Sequence, residues 1–273
     1  MERIIGFARE LRRQEKSPLT VDKYTRDVRL FLQWLKDRPL EKGNVLAYKE
    51  ALCGSQAAVS VNSALSSLNS FFTYLEREDC RVKTLKLQRS IYREPEKELS
   101  KEEYRRLVRA SEENVRLCLL IQTICATGIR VSEHRFITVE AAQRGWAEVR
   151  LKGKQRRVYL PKQLCGMLLK YARERKIKSG SIFVTATGKP LDRSNIWAEM
   201  KALCDRAGVE RSKVFPHNLR HLFARTFYSM EKDIVRLADI LGHASVSTTR
   251  IYTMESGAVH QKQIEKMRLL FIT

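Results

Sequence analysis

Between Thr20 and Leu35, apolar and aromatic residues recur at helical spacing (Val21, Tyr24, Val28, Phe31, Leu32, Leu35), with Lys23, Arg26, Asp27 and Arg29 on the opposite face. The pattern predicts an amphipathic helix, and Ser17-Pro18 ahead of it is a start signal. A second helix is predicted around Val45–Leu52 and a third over about Val59–Glu78. The apolar stripe of the third is Val61, Leu65, Leu68, Phe71, Phe72 and Leu75. Its other face is rich in small polar residues (Ser60, Asn62, Ser63, Ser66, Ser67, Asn69). Such side chains permit close approach to a phosphate backbone, and they equally suit a solvated face.

Periodicity lapses between Lys86 and Glu98, which places a domain boundary near Pro95 and divides the chain into 1–94 and 95–273. Ser100-Lys101-Glu102-Glu103 then reads as a capping box opening a helix with Tyr104, Leu107 and Val108. A helix running from Val115 should stop at Gly128, a residue suited to a left-handed C-terminal cap. Trp146–Leu151 and Arg157–Leu160 alternate as strands around Lys152-Gly153-Lys154-Gln155, a hairpin with a basic tip. The expected fold is mainly α, with a small antiparallel β-hairpin in the second domain.

Charge narrows the partner. Lys and Arg total 52 against 31 acidic residues, a formal net charge of +21 and a pI near 10.0. A field of that size attracts polyanions, and each phosphate neutralised by Lys or Arg releases condensed counterions. DNA or RNA is the natural candidate; charge alone also fits an RNA-associated protein or a solubilising surface. The hydrophobic fraction of 43% is ordinary for a folded domain. The N-terminus shows no apolar h-region, and no apolar run approaches the ~18 residues needed to span a bilayer. Six scattered cysteines form no Cys-x-x-Cys pair and read as reduced thiols. A cytoplasmic protein without metal or cofactor is expected.

Four separated clusters carry candidate chemistry. In Ala126-Thr127-Gly128-Ile129-Arg130-Val131-Ser132-Glu133, Arg130 follows the predicted cap at the start of the next helix; an Arg there is most often a surface charge. In Pro216-His217-Asn218-Leu219-Arg220-His221, Pro216 suits a first helical position. His217, Arg220 and His221 then share nearly one face near a helix N-terminus, a strong anion site. His221 equally fits a buried structural histidine. Gly242 reads as a second helix terminator with His243 behind it, and Ser245 or Ser247 can cap a short helix carrying Tyr252. Taken alone, Tyr252 is far more often a core tyrosine than a nucleophile.

Together, and in this order, Ala-Thr-Gly-Ile-Arg130-Val-Ser-Glu133, His217-x-x-Arg220-His221, Leu241-Gly242-His243 and Ile251-Tyr252 resemble the signature of the tyrosine recombinase (integrase) family. Lys152-Gly153-Lys154 resembles its β-hairpin lysine loop. Thr20…Tyr24…Phe31…Trp34-Leu35 and Ser60…Leu65…Leu68…Phe71-Phe72 are similar to its core-binding domain, so the likeness runs through essentially the whole chain. The resemblance implies a two-domain, C-shaped clamp on duplex DNA, with 1–94 a SAM-like core-binding domain and 95–273 catalytic. It implies that Tyr252 attacks a phosphodiester, leaving a 3′-phosphotyrosine and a free 5′-hydroxyl, with strands exchanged through a Holliday junction and no ATP or metal. Arg130 and Arg220 would clamp the non-bridging oxygens, and His217 and His243 would bond the phosphate and manage the Tyr252 proton. Glu133 and His221 would support them. Lys152 is the general acid on this reading, with Lys154 the alternative because the loop is shorter than the family pattern.

The implied partners are double-stranded DNA with inverted-repeat core sites and three further copies of the chain. The tetramer would form through an amphipathic helix over Val259–Leu270 (Ile264, Met267, Leu270), with an accessory DNA-bending or directionality factor possible. The expected role is integration and excision of a mobile element; a Xer-like resolvase of replicon dimers and a type IB topoisomerase-like enzyme are the alternatives. With so short a stretch before the Thr20 helix, an arm-site domain of the kind larger phage integrases carry is not expected. One departure from the family pattern, His134-Arg135 after Glu133, is read as a local surface change.

Overall fold

The computed structural model of the chain describes residues 2–87, 95–151, 154–243, 245–253, 261 and 264–267. It divides into two compact units, Met1–Arg89 and Ser90–Thr273.

Four helices build the first unit: α1 (Glu2–Arg13), α2 (Pro18–Leu35), α3 (Lys42–Ser55) and α4 (Ala58–Tyr74). Ser17 caps α2, its hydroxyl accepting from the Thr20 amide, and Pro18 occupies the first turn, where an amide hydrogen would have no partner. The predicted stripes face inward. Phe31 and Phe72 meet edge to face at 5.7 Å, and Phe7 of α1 meets Phe71 at 5.2 Å. Each fully buried ring of this kind contributes roughly 1.5–3 kcal/mol over an exposed one. Helix α4 ends at Tyr74, short of the predicted Glu78, and a single 3-10 turn follows at Glu78–Cys80.

The polar face of α4 differs from its expectation. Asn62 donates to the Leu85 carbonyl at 2.9 Å and accepts from the Leu85 amide at 2.7 Å. Asn69 makes the same pair with Val82, at 2.8 and 3.0 Å. Ser67 is fully buried and donates to Asp27, which also holds Lys23 at 2.6 Å. An amide side chain offers a donor and an acceptor side by side, so it mimics a strand partner for the extended segment 82–85. Three of the six small polar residues therefore hold the unit together, and Ser60, Ser63 and Ser66 are the exposed ones.

The second unit is built around α6 (Val115–Thr127). Leu117, Leu119, Leu120, Ile121, Thr123 and Ile124 are all buried, so the helix is apolar nearly all round and takes the centre. Before it, α5 (Lys101–Ala110) starts at the predicted capping box: Ser100 accepts from the Glu103 amide and Glu103 from the Ser100 amide. Packed about the centre are α7 (Val139–Arg144), α8 (Lys162–Glu174), α9 (Arg193–Ala202), α10 (Cys204–Ala207) and α11 (Pro216–Glu231). The helices α12 (Ile234–Leu241) and α13 (Val246–Thr249) follow among the described residues.

The hairpin is β1 (Trp146–Leu151) with β2 (Lys154–Tyr159), paired antiparallel from Trp146↔Tyr159 to Leu151↔Lys154. The second strand begins three residues earlier than predicted, so Lys154 lies in the ladder and only residues 152–153 join the strands. Ala147, Val149 and Val158 line the inner face with Arg156. His134 is a second correction. It is buried at 4% exposure, bonded through Nδ1 to the Val131 carbonyl, and its ring meets Phe183 at 6.4 Å, so it is core where a surface change was expected. Arg135 is exposed. The six cysteines are free; Cys80 and Cys204 are buried, Cys53 exposed and the others half-buried. No helix among the described residues is long and apolar enough to cross a membrane.

Candidate active site

Two glycine-terminated helix ends shape the site. Helix α6 stops where Gly128 takes a left-handed conformation (φ +65°), and α12 stops at Gly242 (φ +64°). A side chain at Gly128 would place its Cβ 2.4 Å from Phe223, so this turn needs glycine for its space as well as its backbone. Each turn presents carbonyl oxygens whose helical partners are absent, and arginines take them.

Arg220 reaches from α11 to both ends. Its Nη1 donates to the Gly128 carbonyl, and its Nη2 donates to the Leu241 carbonyl at 2.7 Å and to His243 Nε2 at 3.0 Å. It is 1% exposed, and its Nε has no hydrogen-bond partner among the described residues. Burial, helped by the Arg130 charge, lowers its pKa to about 10, so it stays a cation at neutral pH. Arg130, at the start of the 3-10 turn Val131–Phe136, donates from Nη1 to Glu133 at 3.0 Å and from Nη2 to the Gly242 carbonyl at 3.0 Å. A third of its side chain remains open to solvent.

Glu133 is fully buried and accepts four hydrogen bonds: from the Arg130 amide and Nη1, and from Arg156 Nη1 and Nη2 at 2.9 and 2.7 Å. Burial alone would raise its pKa. The bonds and charges of Arg156 and then Arg130 outweigh it, and the net shift is downward. Arg156 is the participant that the motifs missed. Its signal was parity: it shares the inward side of β2 with Val158, an unusual place for a charge, which a strand started at Arg157 concealed.

The imidazoles and the phenol adjoin this frame. The His217 and His221 rings are 4.4 Å apart, and His221 meets the Tyr252 ring edge to face at 5.1 Å. The His243 ring lies nearly parallel to Tyr252 at 6.4 Å, and its Nδ1 is 2.8 Å from Thr249 Oγ1. Because Arg220 can only donate, His243 Nε2 accepts, and Nδ1 carries the proton given to Thr249. Burial first, and surrounding positive charge second, lowers all three histidines: His221 to about 3, His243 to about 4, and His217 downward under Arg220, Arg130 and Arg193. All three are neutral at pH 7. His217 is the solvent-exposed member of the group. Tyr252 is 5% exposed in the 3-10 turn Arg250–Tyr252 that follows α13, which Ser245 caps. Burial raises its pKa and Arg220 opposes the rise, so the phenol keeps its proton at rest.

Arg130, Glu133, His217, Arg220, His221, His243 and Tyr252 thus converge within the second unit. Lys152 lies outside the described residues. Lys154 is placed on β2. Most of the predicted helix Val259–Leu270 is also outside them; within it, residues 264–266 are helical and Ile264 and Met267 are exposed. No cluster of three or more potential metal ligands occurs among the described residues.

Residues 97–258 match the phage integrase family, and residues 4–79 match the phage integrase N-terminal SAM-like domain. The chain is 32% identical to tyrosine recombinase XerA of Thermococcus kodakarensis, across 98% of this chain and 96% of that protein. The chain is a tyrosine recombinase. Among solved structures, the recombinase resembles a crystal structure of XerA recombinase at 26% identity, with a TM-score of 0.55 over 99% of both chains. It shares the fold of a lambda integrase tetramer bound to a Holliday junction (18% identity, TM-score 0.72, covering 91% of this chain and 76% of that one). The recombinase is accordingly a site-specific DNA-recombining enzyme, mostly helical with one small antiparallel sheet.

Proposed function

We propose that the recombinase cuts and rejoins duplex DNA through Tyr252, with its own residues forming the phosphate site. The observation that carries this is the packing of the Tyr252 ring against His221 and His243, the latter bonded to the buried Arg220. In cleavage the phenolic oxygen bonds to the phosphorus and the bond to the 5′-oxygen breaks, giving a 3′-phosphotyrosine. The ester bond is exchanged for another of similar energy, so no ATP is consumed. Arg130 and Arg220 stabilise the charge that gathers on the two non-bridging oxygens, in a frame already organised before reaction. His217, held uncharged, is the imidazole that takes up the phenolic proton, while His243, whose Nε2 accepts from Arg220 and whose Nδ1 donates to Thr249, orders Arg220 beside the phenol. Lys152, or Lys154 in its place, protonates the departing 5′-oxygen. Glu133 and His221 hold the donors and the phenol in position. Religation by the 5′-hydroxyl of a partner strand reverses the step and yields a Holliday junction.

The domain division at 94/95, a SAM-like DNA-binding first domain, inverted-repeat core sites, a tetramer through the C-terminal helix and a cytoplasmic location belong to the same reading. An accessory bending or directionality factor is part of it too. The lambda integrase tetramer on a Holliday junction supports such an assembly, as do the exposed apolar Ile264 and Met267. Deleting residues after Gly257 should then abolish pairing of two sites while leaving cleavage of one intact. Mobile-element integration is the role proposed first. Resolution of replicon dimers is the second reading, favoured by end-to-end similarity to XerA.

A 5′-nicked suicide duplex carrying junction sequence from beside the gene tests the chemistry. The wild-type chain should leave a denaturation-resistant adduct that Tyr252→Phe cannot form, and absence of the wild-type adduct would overturn the reading. Relaxation of a plasmid without any such site would point instead to a topoisomerase. Mapping the adduct to element ends or to a single replicon site separates the two roles.

A further inference from the structure

Arg156 closes a circuit. Its two terminal nitrogens grip Glu133 at 2.9 and 2.7 Å, and Glu133 holds Arg130 through both its amide and its guanidinium. The Nε of Arg156 donates at 3.1 Å to the Ile240 carbonyl, two residues before Gly242, whose own carbonyl accepts from Arg130 Nη2. The Arg156 stem lies so close to Gly242 that a Cβ there would sit 2.9 Å from its Cδ. The side chain is 15% exposed, and its strand begins directly after the two residues that include Lys152.

We infer that Arg156 is a positioning residue for strand cleavage: through Glu133 it fixes Arg130, and through Ile240 it ties the hairpin strand to the Gly242-His243 turn. The inference rests on the function proposed above. A lysine cannot replace it, because three N–H groups in a rigid planar fork are used at once and an ammonium is a point charge on a flexible stem. The fork also sets the charge state of Glu133. Arg130 from its own turn, Arg156 from β2 and Arg220 from α11 all favour the ionised carboxylate. With Arg156 gone, burial gains on them.

The test is single-turnover adduct formation on the nicked duplex across pH 5–9, with the Kd for DNA and a thermal melt measured in parallel. Arg156→Met should cleave about a hundredfold more slowly and Arg156→Lys about tenfold, as expected for misplaced reacting groups. DNA affinity should change by less than about threefold. Arg156→Met should acquire an acid limb, its rate rising with pH where the wild type is flat. In a Glu133→Gln background, adding Arg156→Met should cost little more, because both changes remove the same support. Wild-type rates with an unchanged pH profile, additive losses in the double variant, or a deficit confined to Kd would each overturn the inference. Should Arg156→Met fail to fold, Arg156→Lys and its combination with Glu133→Gln give the same decision. A wild-type chain without a Tyr252-dependent adduct refutes the underlying function; a normal wild type with unaffected Arg156 variants refutes only this role.

Discussion

The His243 ring lies 15° from parallel to that of Tyr252, with 6.4 Å between centroids, and both its nitrogens are engaged, by Arg220 at 3.0 Å and Thr249 at 2.8 Å. Thr249 is fully buried and accepts the Nδ1 proton of the tautomer that Arg220 sets, so it holds the ring in its orientation. Thr249→Val keeps the volume and removes the acceptor. Its adduct formation should slow about fivefold to tenfold, the equivalent of one hydrogen bond of about 1 kcal/mol, with DNA affinity unchanged. A wild-type single-turnover rate for this variant would show that the ring is oriented without this bond.

The histidine cluster makes the fold sensitive to acid. His221 and His243 are held at about 3 and about 4, mainly by burial, against the 6.5 of a free histidine. As pH falls below about 6.5 the unfolded chain takes up protons that the folded chain refuses. Their contribution to stability is therefore complete above that pH and is lost progressively on the way down to about 3–4, by at most about 1.4 kcal/mol per pH unit for each histidine. Urea midpoints at pH 7, 6, 5 and 4 should fall less steeply for His221→Leu than for the wild type. Parallel curves would refute the assignment.

Gly128 meets two demands at once, a left-handed backbone and the closeness of Phe223. Gly128→Ala should destabilise the chain by about 2–4 kcal/mol, summing backbone strain and overpacking. It should also slow cleavage, because the carbonyl it displaces is the one Arg220 uses. Calorimetry and the nicked-duplex assay read the two effects separately; an unchanged melting temperature would exclude the first.

In the first unit, Asn62→Ala and Asn69→Ala each remove two hydrogen bonds from backbone groups of segment 82–85. Each should cost about 1–3 kcal/mol, whereas Ser66→Ala on the exposed face should cost under about 0.5 kcal/mol. Equal effects at all three positions would contradict the structural role given to the asparagines.

What the sequence made legible was what it encodes locally. The stripe from Val21 to Leu35, the Ser100 capping box and the end of α6 at Gly128 each need only a few neighbouring residues to be recognised, and the structure has them. The motif residues around Arg130, Arg220, His243 and Tyr252 were visible through their order, and they converge. Contacts between distant parts of the chain were not visible. Arg156 meets Glu133 across 23 residues and Ile240 across 84, and no spacing rule reports such a pair. The Asn62 and Asn69 side chains look like those of a solvated face until segment 82–85 is laid beside them. His134 looks polar until the ring of Phe183 is placed against it.

Arg130, Arg156 and Arg220 crowd around a single buried carboxylate, so Glu133 balances only one of three guanidinium groups. The surplus repels itself across the same glycine turns that hold it in place. A phosphodiester settling among these groups would relieve that repulsion at the moment it is gripped. On this view the duplex is a counterion to the enzyme as much as the enzyme is to the duplex, and occupation of the pocket should rigidify both turns together.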